Sequence, residues 1–217
     1  MSAHEIGTVG VLGGTGPQGR GLAMRRAAAG TPVVLGSRDA ARAAETAAAV
    51  GHGVTGTTNR ECARAADTVV VAVPYAGHAA LLADLADDLA ERLVVDCVNP
   101  LGFDAQGPYP LDVPEGSAAQ QAAALLPRSR VVAAFHHVSA VLLEDRSVAR
   151  VDTDVLVLGD DRDATDLVCE LVALVPGMRG VYAGRLRNAR QVEALTANLI
   201  AVNRRYKAHA GIRVTDV

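Results

Sequence analysis

A chain of 217 residues, half of them hydrophobic and 21% charged, has the composition of a globular protein long enough to bury a sizeable core. A formal net charge of −3 gives no attraction for nucleic acid or an anionic membrane, and no apolar run is long enough to span a bilayer. Cys62, Cys97 and Cys169 are too far apart for a disulfide framework or a zinc site, and Met1-Ser2-Ala3-His4-Glu5-Ile6 lacks the signal-peptide pattern, so a cytoplasmic protein with small-molecule partners is expected.

The first strand is expected over Thr8 to Gly13 and the first helix from Gln18 to Ala29. Between them Gly14, Gly16 and Gly19 spell G-x-G-x-x-G, with an apolar run before and an Ala-rich helical run after. That is the layout of a dinucleotide-binding turn. The glycines permit a tight bend, let the backbone approach a pyrophosphate, and let the helix pack close to its strand. The pyrophosphate then meets the free N–H groups and positive dipole end of the helix.

A second strand over Pro32 to Gly36 ends in Ser37-Arg38, with Arg42 following. An NAD site places Asp or Glu here to hold the ribose 2′-hydroxyl. A hydroxyl and guanidinium groups suit a 2′-phosphate instead, which points to NADP. Asp39 belongs to the first turn of the next helix, Ala40 to Val50.

Strands over Val54 to Thr58, Thr68 to Val73, Leu93 to Cys97 and Arg130 to Phe135 follow, with helices over Asn59 to Ala65 and Gly77 to Ala90. Thr68–Val73 and Leu93–Cys97 are almost continuously apolar and β-branched, as buried parallel strands are. The alternation implies a doubly wound α/β sheet. Later elements are a strand over Asp154 to Leu158, a helix over Asp161 to Val175, a strand over Gly180 to Ala183 and a helix from Asn188 to Lys207. The last helix carries Val192, Leu195, Leu199, Val202 and Tyr206 on one stripe, suited to core packing or a dimer seam.

Asn99 to Pro127 holds five of the nine prolines and reads as a long irregular loop beginning at the carboxyl edge of the sheet, where open α/β sheets bind ligands. Tyr75, Phe103, Tyr109 and Phe135, with His78, His136 and His137, fall at or beyond carboxyl ends of strands. Such a lining suits a flat heteroaromatic ligand. Adjacent histidines on an extended segment can point oppositely, so at most one of His136 and His137 should face the site.

The absences narrow the chemistry. No Cys/His metal spacing, G-x-S-x-G elbow or Tyr-x-x-x-Lys pair is present, and Lys207 is the single lysine. Chemistry that depends on holding two reactants face to face needs none of these.

The combination resembles the NADPH-dependent reductases of the deazaflavin coenzyme F420. The resemblance runs from Leu12-Gly13-Gly14-Thr15-Gly16 through Gly36-Ser37-Arg38, Ala134-Phe135-His136 and Leu158-Gly159-Asp160-Asp161. It continues through Ala183-Gly184, Leu186, Asn188, Arg190 and Val192-Glu193 to Gly211-Ile212. It implies a Rossmann-type doubly wound parallel sheet with a small, mostly helical C-terminal portion. Residues 1–137 would bind NADP and 138–217 would close the second-cofactor pocket, usually in a homodimer or higher homo-oligomer. By position, Thr15, Gly16, Pro17 and Gln18 would hold the pyrophosphate. Ser37, Arg38 and Arg42, the last replacing the family's usual Lys, would hold the 2′-phosphate. Pro74, Tyr75 and His78 would flank the nicotinamide, while His136 and Val138-Ser139-Ala140 would face the deazaflavin. Arg187, Arg190 or Arg204 would meet its anionic tail. Two departures lie on the second-ligand side: His137-Val138-Ser139-Ala140 replaces a Thr-Ile-Pro-Ala-like stretch, and the Pro-rich segment is longer. The implied reaction is direct hydride transfer between NADP(H) and coenzyme F420, with His136 orienting the deazaflavin, ahead of a role in assisting the proton that accompanies reduction. Reduction of a flavin that passes electrons to ferric ions, reduction of an imine, and a non-catalytic NADP-binding sensor remain open alternatives.

Overall fold

The structure, a computed structural model, describes residues 7–217; the reading of Met1–Ile6 lies outside them. Its strands are β1 (Val9–Leu12), β2 (Val33–Ser37), β3 (Thr55–Thr58), β4 (Thr68–Val71), β5 (Leu93–Asp96), β6 (Leu101–Asp104), β7 (Gly107–Pro110), β8 (Arg130–Ala133), β9 (Thr153–Gly159) and β10 (Met178–Tyr182). The helices are α1 (Pro17–Ala28), α2 (Ala40–Val50), α3 (Asn59–Ala65), α4 (Tyr75–Asp84), α5 (Ala118–Leu125), α6 (Ala140–Glu144), α7 (Arg162–Ala173) and α8 (Ala189–Tyr206). Eight strands form one sheet in the order β10-β9-β8-β5-β4-β1-β2-β3.

From β3 to β8 the pairing is parallel, with β1 at the centre between β2 and β4. Every residue of β1, β4 and β5 is buried, because helices cover both faces. Leu22, Ala23, Ala27, Leu143, Val168 and Leu171 of α1, α6 and α7 fill one side. Cys62, Ala63, Leu82, Ala119, Ala122 and Val192 of α3, α4, α5 and α8 fill the other. Local sequence sets the helix starts. Thr58 and Glu61 form a reciprocal capping box on α3, and the Asp161 carboxylate accepts from Ala164 N at 2.8 Å to start α7.

β9 pairs antiparallel with β8, matching Val132 to Gly159 and Ala133 to Leu158, and β10 then pairs parallel with β9. The C-terminal strands therefore complete the same sheet. The antiparallel register brings the start of β9 to the edge where β1, β4, β5 and β8 finish. Among the described residues no helix is long and apolar enough to cross a membrane.

Three sequence expectations change. The Pro-rich stretch 99–127 is not an irregular loop: it contains the β6–β7 hairpin, which carries the exposed Phe103 and Tyr109, and then α5. Its prolines fit because an isolated two-stranded ribbon leaves many N–H positions unpaired. The fourth helix starts at Tyr75, on the residue after Pro74, and stops at Asp84. Phe135 lies beyond the end of β8 with φ +63° and is buried in the core rather than lining a site.

Arg25 of α1 fixes α6 from behind. Its Nε donates to Leu143 O at 2.9 Å, Nη1 to Val148 O at 2.7 Å, and Nη2 to Leu142 O and Asp145 O at 2.7 and 2.8 Å. The planar fork thus satisfies the last carbonyls of a five-residue helix that has little stability of its own. Arg25→Ala should destabilise the protein by about 2–3 kcal/mol, since bonds to a charged donor are lost and carbonyls are left unpaired. Urea unfolding tests this; a wild-type midpoint would show that the anchor contributes nothing.

Candidate active site

The glycine turn is built as its sequence demands. Gly14 N donates to Gly36 O at 2.9 Å, tying the turn to β2, and Gly16 N donates to Gly13 O at 3.0 Å. A Cβ on Gly19 would lie 2.8 Å from Gly14 Cα, closer than side chains pack, so only glycine lets α1 start against the turn. Gly16 occupies the N-cap without a side-chain bond, and Pro17 stands at the first helical position. No side chain therefore caps the first turn of α1, and its N–H groups are available to an anion.

At the end of β2, buried Ser37 accepts from Asp39 N at 3.2 Å through Oγ. Asp39 caps α2, accepting from Arg42 N at 3.1 Å, so its carboxylate is committed to the helix. Arg38 and Arg42 are exposed and form no ion pair among the described residues. Two unpaired guanidiniums and a buried hydroxyl thus follow one another at the end of β2.

Two pockets open beside the turn and share a wall. One, of about 210 Å³, is lined by Gln18, Ala72, Val73, Cys97, Val98, Asn99 and His136. The other, of about 300 Å³, extends from Gln18, Asn99 and His136 past Val138, Ser139 and Ala140 to Leu199 and Ile200 of α8 and to His209 and Ala210 beyond it. Gln18, Asn99 and His136 belong to both. Gln18 Nε2 reaches across the gap to Phe135 O at 3.2 Å. Asn99 Nδ2 and Thr196 Oγ1 donate to His136 O at 2.8 and 3.0 Å, pinning the backbone that carries the histidine.

The His136 side chain is only 3% exposed, and neither ring nitrogen has a hydrogen-bond partner. Burial pushes its pKa down to about 4, so the imidazole is neutral near pH 7. His136 and His137 lie in a turn rather than on an extended segment, and both line the larger pocket; His137 Nε2 accepts from Leu156 N of β9 at 3.3 Å, and burial pushes its pKa down to about 4 as well.

The expected nicotinamide flank is different. His78 is fully buried, with Nε2 bound to Asp96 Oδ2 at 2.6 Å and Nδ1 to Gln121 Oε1 at 3.2 Å. With Leu82 it forms the buried side of α4, and it lines neither pocket. Tyr75 packs against His78, ring centres 6.2 Å apart, and its hydroxyl bonds Gln121. Pro74 is exposed at the start of α4, and the pocket wall is made by the preceding Ala72 and Val73. Of the arginines expected near an anionic tail, Arg190 pairs with Asp112 at 2.7 Å.

Beneath the pockets lies a buried ionisable cluster. Burial disfavours the charged form of His78, yet the bond to Asp96, the Asp96 charge, Gln121 and Glu193 together raise its pKa. Glu193 of α8 caps α5, accepting from Ala118 N and Ala119 N at 2.9 and 3.1 Å, and burial pushes its pKa up to about 7. Sequence reasoning missed Asp96, Asn99, Gln121 and Thr196. A carboxylate ending the apolar run Leu93-Val94-Val95 was the available signal.

With this geometry in place, known proteins can be compared. The model of the family described as NADP oxidoreductase, coenzyme F420-dependent, matches residues 8–100. The F420-dependent NADP reductase of Methanothermobacter thermautotrophicus is 39% identical, covering 96% of this chain and 95% of the relative. That of Methanocaldococcus jannaschii is 34% identical, over 96% and 98%. A solved structure from Arthrobacter sp. FB24 superposes with a TM-score of 0.80 at 27% identity, covering 95% and 99% of the two chains.

The buried neutral histidine has a pH signature. An unfolded imidazole protonates near pH 6.5 and the folded His136 only near 4. Between these values the unfolded state holds more protons, so the stability contribution is full above pH 6.5 and falls on acidification. From pH 6.5 to 4 the wild type should lose on the order of 2–3 kcal/mol relative to His136→Asn. Urea unfolding at a series of pH values measures this, and parallel stability curves would refute the burial of a neutral ring.

Proposed function

Because the chain belongs to the coenzyme F420-dependent NADP oxidoreductase family, we propose that it is an oxidoreductase transferring hydride between NADP(H) and F420. The observation that carries this reading is the pair of pockets sharing Gln18, Asn99 and His136. Two flat ring systems seated on a common wall need no further bridging group. When both are bound, the cofactors themselves supply the chemistry: NADPH gives a hydride and the deazaflavin takes it up with a proton from solvent.

The residues of the chain bind, orient and exclude water. Gly14, Thr15, Gly16, Pro17, Gln18 and Gly19 present the start of α1 to the pyrophosphate. Ser37, Arg38 and Arg42 take the 2′-phosphate through charge-assisted bonds. Ala72, Val73, Cys97 and Val98 form a largely apolar wall on the nicotinamide side, which keeps water from the reacting face. His136, neutral and offering one N–H and one lone pair, orients the ring on the second side, where Val138, Ser139 and Ala140 complete the floor. Proximity then provides most of the acceleration.

Residues 1–137 form the NADP half and 138–217 the acceptor half. Val202 and Tyr206 of α8, 36% and 73% exposed on its apolar stripe, support assembly of copies through that helix. The free cysteines support a reducing, cytoplasmic setting.

The assay is loss of deazaflavin absorbance with NADPH and oxidised F420, with NADH, and FMN plus ferric citrate, run in parallel. Turnover with NADPH and F420 far above the others is expected; tight NADPH binding without F420 turnover would overturn the assignment. Arg38→Ala should raise the KM for NADPH by about 10- to 100-fold while leaving the rate with NADH nearly unchanged, because only the 2′-phosphate loses its partner. Equal losses with both nucleotides would place Arg38 elsewhere.

A further inference from the structure

The chain does not end its structural work with α8. Lys207 adopts a left-handed conformation, φ +51°, and the chain turns back along the pocket. Asn203 holds that turn: its backbone carbonyl accepts from Ala208 N at 3.2 Å and its side chain from Ala210 N at 2.6 Å. His209 and Ala210 then form part of the wall of the larger pocket.

The next four residues are tied to the start of β9. Ile212 N donates to Thr153 Oγ1 at 3.2 Å and Asp154 N to Ile212 O at 2.8 Å. A Cβ on Gly211 would lie 2.5 Å from Thr153 Oγ1, so the approach requires glycine. The fully buried Asp154 carboxylate is the knot. It accepts from Val214 N at 2.7 Å, from Arg213 Nη1 at 2.6 Å, and from Arg179 Nε and Nη2 at 3.0 and 2.7 Å. Arg179 Nη2 also donates to Val214 O at 2.7 Å. A buried carboxylate stripped of such partners is costly, so docking of the segment and satisfaction of Asp154 reinforce each other.

We propose that residues 208–214 are a strap, clamped by Asp154, that builds the outer wall of the acceptor pocket, with Asp154, Gly211 and Arg213 as positioning residues for the hydride acceptor but not for NADP. The separation follows from placement. Strap residues line the 300 Å³ pocket, while none lines the 210 Å³ pocket or touches the glycine turn among the described residues. The proposal rests on the functional reading above, in which the larger pocket takes F420.

The test uses the full chain carrying Arg213→Ala or Gly211→Ala. Binding of oxidised F420 alone, followed by its own fluorescence, should weaken by about tenfold or more, with KM for F420 rising in step. The dissociation constant for NADPH, measured by calorimetry, should stay within about twofold, and kcat should change less than KM. Arg213→Lys, which keeps a single charged bond to Asp154, should recover part of the loss. Unchanged F420 binding in both variants would overturn the strap, as would NADPH affinity falling in parallel. Should Gly211→Ala not fold, the half-exposed Arg213 still decides the matter. Wild-type protein that binds NADPH but neither binds nor reduces F420 would instead defeat the functional reading.

Discussion

A carboxylate buried at the end of a central strand must find partners, and the arrangement of the site edge follows from how Asp96 finds them. Oδ2 takes the His78 ring from α4, and Oδ1 takes Val98 N from the chain leaving β5. His78 in turn holds Gln121 of α5, and α5 begins on the Glu193 carboxylate of α8. One unpaired charge would be intolerable in this interior, so α4, α5 and α8 are held in mutual register by polar contacts rather than by apolar packing alone. The same turn after β5 delivers Asn99 to the His136 carbonyl. The shared wall of the two pockets is thus an extension of the buried network below it.

That wall explains why little conventional catalytic equipment is needed. The histidine at the junction is held through its backbone and kept neutral by burial, so its ring is free to meet a ligand while carrying no charge that would disfavour a hydride donor or acceptor. Gln18 contributes similarly: a residue of the nucleotide turn crosses to Phe135 O and stands on both sides at once. Hydrogen bonds thus fix Gln18 and the His136 backbone at the junction of the two pockets.

The sequence was most informative where one residue type is the sole solution to a local problem. Gly19 is required by the approach of α1 to the turn, and Ser37-Arg38 replaces the acid that a ribose hydroxyl would need; both are legible without coordinates. The β-branched strands announced their own burial. What could not be read were pairings between distant elements. His78 sits at the edge in sequence order, but its helical phase turns it into the core toward a partner 18 residues away. The direction of β9 was equally hidden, because a seven-residue apolar strand carries no mark of whether it runs with or against its neighbour. The hairpin in the Pro-rich stretch escaped because proline usually argues against strands, an argument that weakens for an isolated two-stranded ribbon.

The reversed direction of β9 has a consequence for the order in which the molecule is built. Strands of the nucleotide half all find their partners before the end of β8: Val9 pairs with Val33 and with Thr68, and Leu93 with Arg130. The start of β9 waits for Ile212 and Val214, some 59 and 60 residues further on. The β1–β4 pairing closes a separation just as long, but a chain leaving the ribosome presents its N-terminal half first. Ile212 and Val214 therefore emerge after every strand of the nucleotide half, and Asp154 draws part of its satisfaction from a later part of the chain.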